Sequence, residues 1–299
     1  MRAVWSFWSK PFDAYYGRIW CKPLHHLLAW GLSLRAASRH YPETVLITDL
    51  AGKKLLIEQL GLRFSEVSTE LEQLNDADPG WWVLGKLLAY RIQERPFVHL
   101  DMDVFLWKPL PSYLLDAPVF TQNPEGFGVN DSYYRPEDVE WAFAQQSLKL
   151  PVEWEWARSN RRFFPAENCG IIGGSNIEFL RYYAQTAMDL ILRPENAAAW
   201  SRLRDGRSYC IVIEQFLLAA CAGFHGSERS SIFPRVHIEH LFPAGKTPYD
   251  PNHSARVGFT HLIGEGKSHP TVGRRLEERM QREDPAYLRR CQRVVRGQV

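Results

Sequence analysis

The stretch FVHLDMDVF at residues 97–105 is an apolar, β-prone run that carries two carboxylates, Asp101 and Asp103, one residue apart. Residues i and i+2 of a strand point to the same face, so we expect both side chains to aim at one point where the sheet edge meets solvent. Two such carboxylates repel each other unless a divalent cation neutralises them, and oxygen ligands suit Mg²⁺ or Mn²⁺. A metal held there would suit a diphosphate, which favours interpreting the chain as an enzyme.

Predicted strands and helices alternate around this stretch. Apolar β-branched or aromatic runs predict strands at residues 3–8, 44–49, 64–67 and 97–100, and apolar periodicity predicts helices at 24–40, 53–60 and 82–93. This alternation is typical of βαβ units, so we predict an α/β, Rossmann-like fold with a mostly parallel central sheet flanked by helices. Ligands bind beyond the carboxyl ends of strands in such sheets. Asp49 and the Asp101/Asp103 pair both fall at such ends.

The alternation stops between residues 121 and 165, which contain two tyrosines, three tryptophans and the glycines Gly126 and Gly128. Exposed aromatic side chains there would suit stacking against sugar rings, which makes this segment a candidate acceptor-side insertion. A partly buried insertion with its own small core is the equal alternative. Helices are predicted again at 177–192 and 209–222, and a loop at 233–253. A single domain over residues 1–270 is the simplest organisation.

The C-terminal residues 271–299 are predicted to form a basic helical tail. They contain eight arginines against the four acids Glu277, Glu278, Glu283 and Asp284. A surface helix with i,i+4 ion pairs is the simpler interpretation. Peripheral contact with an anionic membrane surface or an acidic acceptor is the functional alternative.

Composition excludes several function classes. The net charge is +2, from 36 basic and 34 acidic residues, so bulk attraction to nucleic acid is not indicated. The five cysteines lack CxxC spacing, which argues against a disulfide framework or zinc cluster and fits a reducing cytoplasm. We expect no signal peptide and no membrane span. The predicted location is cytoplasmic, with peripheral contact to the inner face of the membrane as an extension.

A second motif, HLIGEGK at residues 261–267, begins 158 residues after Asp103. An imidazole at His261 can complete the coordination of Mn²⁺, and Gly264 lets the backbone approach phosphate closely. Lys267 supplies a positive charge. These are the residue types that a metal–diphosphate site needs.

With both motifs in this order, the chain resembles the metal-dependent glycosyltransferases of the GT-A fold, and among them glycosyltransferase family 8. The resemblance implies that Asp101, Asp103 and His261 hold Mn²⁺ or Mg²⁺, while Gly264 and Lys267 contact the diphosphate of a nucleotide sugar. It implies transfer of a hexose, with retention, from a UDP-sugar to a hydroxyl of a glycan or glycolipid acceptor.

Further residues match the family at intermediate positions. Asn168, in the segment Asn168-Cys169-Gly170, is implied to touch the donor sugar, and Glu214 with Gln215 to act near its anomeric carbon. Lys86 and Asp49 are further candidates for donor binding, Asp49 near the base or ribose. The chain departs from the family pattern at Ser268-His269, where Pro-Trp is usual, and in having Glu-Gln where Asp-Gln is usual.

Other interpretations of these residues stay open. A phosphohydrolase of the haloacid dehalogenase type also places DxD after an apolar strand, and a non-catalytic carbohydrate-binding protein could retain the fold. Asp101 and Asp103 could cap the loop after the strand. Glu214 could face solvent or bridge a buried arginine, and Lys86 could be an amphipathic-helix residue with its amine at the surface.

Overall fold

The computed structural model describes residues 1–15, 17, 19–159, 163–227, 232–233, 235–242 and 251–298, except for the side chains of 251–253. The strands in this part of the chain are β1 Arg2–Phe7, β2 Thr44–Thr48, β3 Glu66–Ser68, β4 Phe97–Leu100, β5 Val104–Leu106, β6 Val119–Thr121, β7 Pro124–Gly128, β8 Phe163–Glu167, β9 Ile171–Gly174, β10 Ile238–His240 and β11 Phe259–His261.

The α-helices of the described residues range from single turns to more than four turns. They are α1 Ser9–Ala14, α2 Pro23–Ala37, α3 Leu50–Lys53, α4 Leu84–Arg91, α5 Ser112–Leu115, α6 Pro136–Ala144, α7 Val152–Arg158, α8 Ile177–Leu192, α9 Ala197–Trp200, α10 Leu217–Gly226, α11 Pro251–Val257, α12 Pro270–Glu283 and α13 Pro285–Val295. Two π-helical turns, Lys54–Gln59 and Val212–Phe216, adjoin α3 and α10.

The fold is mixed α/β, with a mostly parallel seven-stranded sheet in the order β10-β6-β9-β4-β1-β2-β3. β1 pairs in parallel with β2, β2 with β3, and β10 with β6, whereas β9 runs antiparallel to β6. Every residue of β2 and of β4 is buried. Strands covered on both faces are continuously apolar, which explains why these runs could be recognised in the sequence. The predicted α/β class with a mostly parallel sheet is confirmed.

The chain divides into two compact units. The first unit contains Met1–Gln73, His99–Pro109 and the described part of Thr247–Val299. Its long helix α2 starts at a proline in the first helical turn, where the missing N–H costs nothing. α12 and α13 pack against α2 and against each other. The C-terminal residues are therefore two packed helices of this unit.

The second unit contains Leu74–Val98 and the described part of Leu110–Lys246. Antiparallel β7 and β8 form a separate ladder, and the side chains of Phe127, Phe164 and Phe216 meet in its core. The segment Gly206–Gly226 is long and apolar enough to cross a membrane by length and composition, and 72% of that window is buried in the protein. A core helix passes the same test.

The regular alternation of strands and helices stops over residues 121–165, as predicted, whereas the prediction of a loop at 233–253 is wrong. Residues 121–165 contain β7, α6, α7 and the start of β8, although residues 160–162 lie outside the described part. Their aromatic residues divide: Trp154 is buried, whereas Tyr133 is 63% exposed and Trp141 51% exposed. The predicted loop at 233–253 contains β10 and the start of α11, with residues 234 and 243–250 outside the description. Short elements such as these carry too few residues for a clear period.

Candidate metal centre

Asp101 and Asp103 lie in the turn between β4 and β5, not on a strand. Strand alternation is therefore the wrong reason for their convergence, although a carboxylate oxygen of each does lie within 4.8 Å of one of the other, as predicted. The turn is closed by the N–H of Val104, which donates to the carbonyl of Asp101 at 2.9 Å. Asp103 is 1% exposed and the side chain of Asp101 is 28% exposed. One carboxylate thus lies inside the protein and the other reaches its surface.

His261 is brought to this turn by strand pairing. β11 runs antiparallel to β5, with His261 opposite Val104, the residue after Asp103. The ladder continues as the N–H of Leu262 donates to the carbonyl of Asp103 at 3.1 Å. His261 Nε2 then lies 3.6 Å from Asp103 Oδ1. Two segments far apart in sequence are fixed side by side by backbone hydrogen bonds.

Lys267 forms an ion pair with the second carboxylate oxygen of Asp103. Its Nζ lies 2.7 Å from Asp103 Oδ2. Lys267 ends the 3₁₀ turn Gly264–Lys267, and its carbonyl accepts a hydrogen bond from the N–H of Cys21 at 3.1 Å. Asp103 therefore presents Oδ1 toward His261 and Oδ2 toward Lys267, so one side chain serves both partners.

Gly264 opens this turn in a left-handed conformation. Its φ is +54°, and a Cβ built there would meet no atom within 4 Å. Glycine adopts this conformation without strain, whereas most residues do not. The backbone at Gly264 is exposed, as the predicted phosphate contact requires.

The environment keeps Asp103 ionised. Burial acts to raise its pKa, but the positive charges of Lys267 and His261 outweigh burial and hold the pKa below its ordinary value. A carboxylate that is both charged and buried is the form a metal ligand needs.

Asp101, Asp103 and His261 fit a divalent cation. One ligand atom from each of the three lies within 4.8 Å of the other two. Two carboxylates and one imidazole suit Mn²⁺ or Mg²⁺ rather than a thiolate-seeking metal. The side chain of Asp101 is 28% exposed, so solvent reaches one member of the group.

Two histidines beside this centre were not identified from the sequence. His99 lies on β4, two residues before Asp101. Its Nδ1 lies 3.9 Å from Asp101 Oδ1, and its Nε2 lies 2.9 Å from Ser6 Oγ. His26 on α2 is 3% exposed, and Trp30 Nε1 donates to its Nε2 at 3.2 Å. Burial first, and then the charge of Lys267, lower the pKa of His26 to about 3. The i, i+2 spacing of His99 and Asp101 could have drawn attention to the former.

Asp49 acts as a helix cap in the structure. Its Oδ1 accepts from the N–H of Gly52 at 2.7 Å, and its Oδ2 accepts from the N–H and hydroxyl of Ser9 at 2.8 and 2.7 Å. The residue is 2% exposed. These bonds satisfy the first turn of α3 and join it to α1. Contact with a nucleotide base or ribose stays a prediction for Asp49.

Lys86 and Glu214 form a buried ion pair in the second unit. Lys86 Nζ lies 2.7 Å from Glu214 Oε1, with the two side chains 11% and 1% exposed. The Lys86 ammonium also donates to the carbonyl of Cys169 at 3.1 Å, and the Tyr90 hydroxyl to Glu214 Oε1 at 3.2 Å. The interpretation of Lys86 as a residue with its amine at the surface is wrong. Glu214 is buried and paired with a cation, as one alternative held, but its partner is Lys86 and not the arginine that was expected.

Asn168 and Gln215 belong to a second polar group in the same unit. Asn168 Nδ2 donates to Glu125 Oε1 at 2.7 Å, and Tyr134 contacts both Glu125 and Gln215 through its hydroxyl. Glu214 and Gln215 lie on the π-helical turn Val212–Phe216, and such turns occur frequently at functional sites. The sequence placed Asn168 and Gln215 in one site but did not identify Glu125 or Tyr134.

The sequence matches a protein-family model described as a family of unknown function, DUF6734, over residues 1–294. The chain belongs to this family. The match includes all the site residues of both units. No curated protein matches the sequence.

Proposed function

We propose that this DUF6734 member is a metal-dependent glycosyltransferase that moves a sugar from a nucleotide-diphosphate donor, a UDP-sugar, to a hydroxyl of a glycan or glycolipid. The observation that carries the proposal is the convergence of Asp101, Asp103 and His261 within 4.8 Å. The ammonium of Lys267 pairs with the Asp103 carboxylate of this group. The two motifs that form this group are 158 residues apart in sequence. The resemblance to family 8 of the GT-A glycosyltransferases supports the same function.

The proposed ligands are Asp101, Asp103 and His261, and the proposed ion is Mn²⁺ or Mg²⁺. Bound there, the ion would neutralise charge on the donor diphosphate as the bond to the sugar breaks. Lys267 holds a fixed positive charge beside Asp103, and the same charge would attract a phosphate oxygen. Gly264 presents exposed backbone without a side chain, which permits close approach of that phosphate.

The remaining donor contacts stay proposals. Asn168, Glu214 and Gln215 are proposed to orient the sugar, and Lys86 to hold Glu214 in place through their ion pair. A buried, paired Glu214 is fixed in orientation, which suits positioning better than proton transfer. Retention at the anomeric carbon and a cytoplasmic location are proposed on the resemblance and the cysteine pattern alone.

Release of nucleoside diphosphate from a panel of nucleotide sugars, with Mn²⁺ and with EDTA, tests the proposal. Donor hydrolysis is expected with Mn²⁺ and is expected to be lost with EDTA and in the variants Asp101→Ala and Asp103→Ala. Asp76→Asn, which removes an exposed carboxylate outside the metal centre, is the matched control and should retain activity.

Release that survives both alanine substitutions would contradict the metal assignment. A parallel assay with a phosphate monoester separates the alternative chemistry. Inorganic phosphate released from the monoester, without release of nucleoside diphosphate, would favour the phosphohydrolase. Binding of sugars without turnover of any donor would favour the carbohydrate-binding protein.

A further inference from the structure

The two C-terminal helices divide their charges between an inner and an outer side. Three of the four acids are held inward by basic residues on α2 or within two residues of its ends: Glu277 contacts Lys22 and His25, Glu283 contacts Arg39, and Asp284 contacts Arg35. Within the helices themselves, the described residues show one i,i+4 ion pair, Arg279–Glu283. The simpler interpretation of the sequence was that the arginines pair with acids one turn away on the same helix. Among the described residues, Arg279 is the one arginine that does so.

The remaining arginines lie on the outside. Six are exposed and form no ion pair or side-chain hydrogen bond with a described residue: Arg274, Arg275, Arg282, Arg289, Arg293 and Arg296. We call this set the arginine face. The other charged outer residues are Glu278 and Arg290, whose Nη1 donates to the carbonyl of Leu60 at 3.4 Å. A chain with a net charge of +2 thus concentrates positive charge on one pair of helices.

The arginine face is one surface because of how the helices pack. The inner sides of α12 and α13 are apolar and buried, through Leu276 and Met280 on the first and Tyr287, Leu288 and Cys291 on the second. Both helices pack on α2 and on each other. The outer sides of both helices therefore face away from α2 and form one surface. Among the described residues on the outer sides, Val295 is the large apolar side chain that is exposed, at 45%, so arginines dominate this surface and it acts chiefly through charge.

We propose that the arginine face binds the surface of an anionic phospholipid bilayer. A plane of lipid headgroups needs only a broad cationic surface, and clusters of four to eight basic residues bind such surfaces. Guanidinium groups also match phosphate oxygens in pairs. The described outer residues of both helices include no aromatic side chain, so the base stacking that supports single-stranded nucleic acid binding is missing. Two helices side by side also do not present a single helix to a DNA groove.

Co-sedimentation of the full chain with vesicles tests this proposal. Vesicles of phosphatidylcholine with about 30% phosphatidylserine should bind the protein at low salt and release it at high salt, because the attraction is screened. Pure phosphatidylcholine vesicles should not bind it. The triple variant Arg289→Gln, Arg293→Gln, Arg296→Gln should lower the partition coefficient by roughly 100-fold, about fivefold for each arginine.

The matched control removes the same charge elsewhere. Arg95→Gln, Arg181→Gln and Arg204→Gln replace three exposed arginines of the second unit, and this variant should bind as the wild type does. Thermal denaturation of both variants checks that each is folded. Equal loss in the two variants, or no binding to phosphatidylserine vesicles, would overturn the proposal. Tighter, salt-dependent binding of RNA through the same arginines would assign the face to nucleic acid instead.

Discussion

At the scale of single residues, the metal centre depends on Asp103 serving two partners. Its Oδ1 faces His261 and its Oδ2 faces Lys267. These residue types could be recognised in the sequence, because two carboxylates, an imidazole, a glycine and a lysine are together typical of a site that binds a metal and a phosphate. The division of the carboxylate between its partners was not evident, because it follows from strand pairing between residues far apart in the chain.

His26 makes stability depend on pH. Its pKa is lowered to about 3 by burial and by Lys267, from an ordinary value of 6.5. Below pH 6.5 the unfolded chain gains a proton at His26 that the folded chain does not take up until the pH nears 3. Stability should therefore fall as the pH drops through this window, by up to about 1.4 kcal/mol per pH unit.

Denaturant unfolding of His26→Gln between pH 7 and pH 4 measures this contribution. The variant should lose part of the pH dependence that the wild type shows below 6.5. His237→Gln replaces a histidine whose side chain is 60% exposed and should retain the wild-type dependence. Identical slopes for His26→Gln and the wild type would show that His26 is already protonated in the folded protein.

Lys86 and Glu214 should be coupled in stability. Lys86→Met leaves the Glu214 carboxylate buried without its cation, which is expected to cost about 3–5 kcal/mol. Lys86→Met combined with Glu214→Gln should recover much of that loss, because no buried charge then remains unpaired. Denaturant unfolding of the single and double variants measures the coupling. Additive losses would show that the two side chains do not depend on each other.

At the scale of elements, α2 is the support on which the C-terminal helices are built. Gly31 of α2 lies against the ring of Tyr287 in α13, so close that a Cβ there would stand 2.2 Å from Tyr287 Cε1. The Tyr287 hydroxyl donates to the carbonyl of Leu27 at 2.7 Å. Glycine and tyrosine thus set the distance between the two helices. Nothing in either helical pattern indicated that these helices would be neighbours.

Gly31→Ala should force α13 away from α2. The methyl group overlaps the Tyr287 ring, and overpacking of this kind costs about 1–3 kcal/mol. A lower melting temperature than in the wild type is the expected result, measured by circular dichroism. Gly266→Ala is the control, because a Cβ at Gly266 would have its nearest neighbour at 3.9 Å. A Gly31→Ala variant as stable as the control would contradict the close packing of these helices.

The elements themselves show what a sequence can and cannot indicate. β2 and β4 were recognised because every residue is buried and both runs consist mainly of apolar or β-branched residues. The helix expected at residues 209–222 is interrupted by the π-helical turn Val212–Phe216, which leaves no trace in apolar periodicity. The DxD motif was assigned to a strand because its flanks are apolar, but a turn separates β4 from β5.

At the scale of the whole molecule, the candidate residues fall into two groups. Asp101, Asp103, His261 and Lys267 are brought together in the first unit, and Lys86, Asn168, Glu214 and Gln215 lie in the second. The first group follows the predicted motifs closely. The second contains an ion pair that joins residues 86 and 214, and a contact of that range depends on how helices pack rather than on any local pattern.

Donor binding should stabilise the whole chain in a metal-dependent way. A ligand present at 100 times its dissociation constant adds about 2.7 kcal/mol to stability. For a chain of this length that corresponds to a rise in melting temperature of roughly 5 °C. A thermal-shift panel of nucleotide sugars should show this rise with Mn²⁺ and no rise with EDTA. The same rise in EDTA would show that the donor binds without the metal centre.

Calorimetric titration with Mn²⁺ measures whether Asp101, Asp103 and His261 hold a divalent cation. One ion should bind per chain, with binding lost in Asp103→Asn and in His261→Gln and retained in Asp76→Asn. Mn²⁺ binding that is unchanged in Asp103→Asn and His261→Gln, or no binding to the wild type, would contradict this assignment.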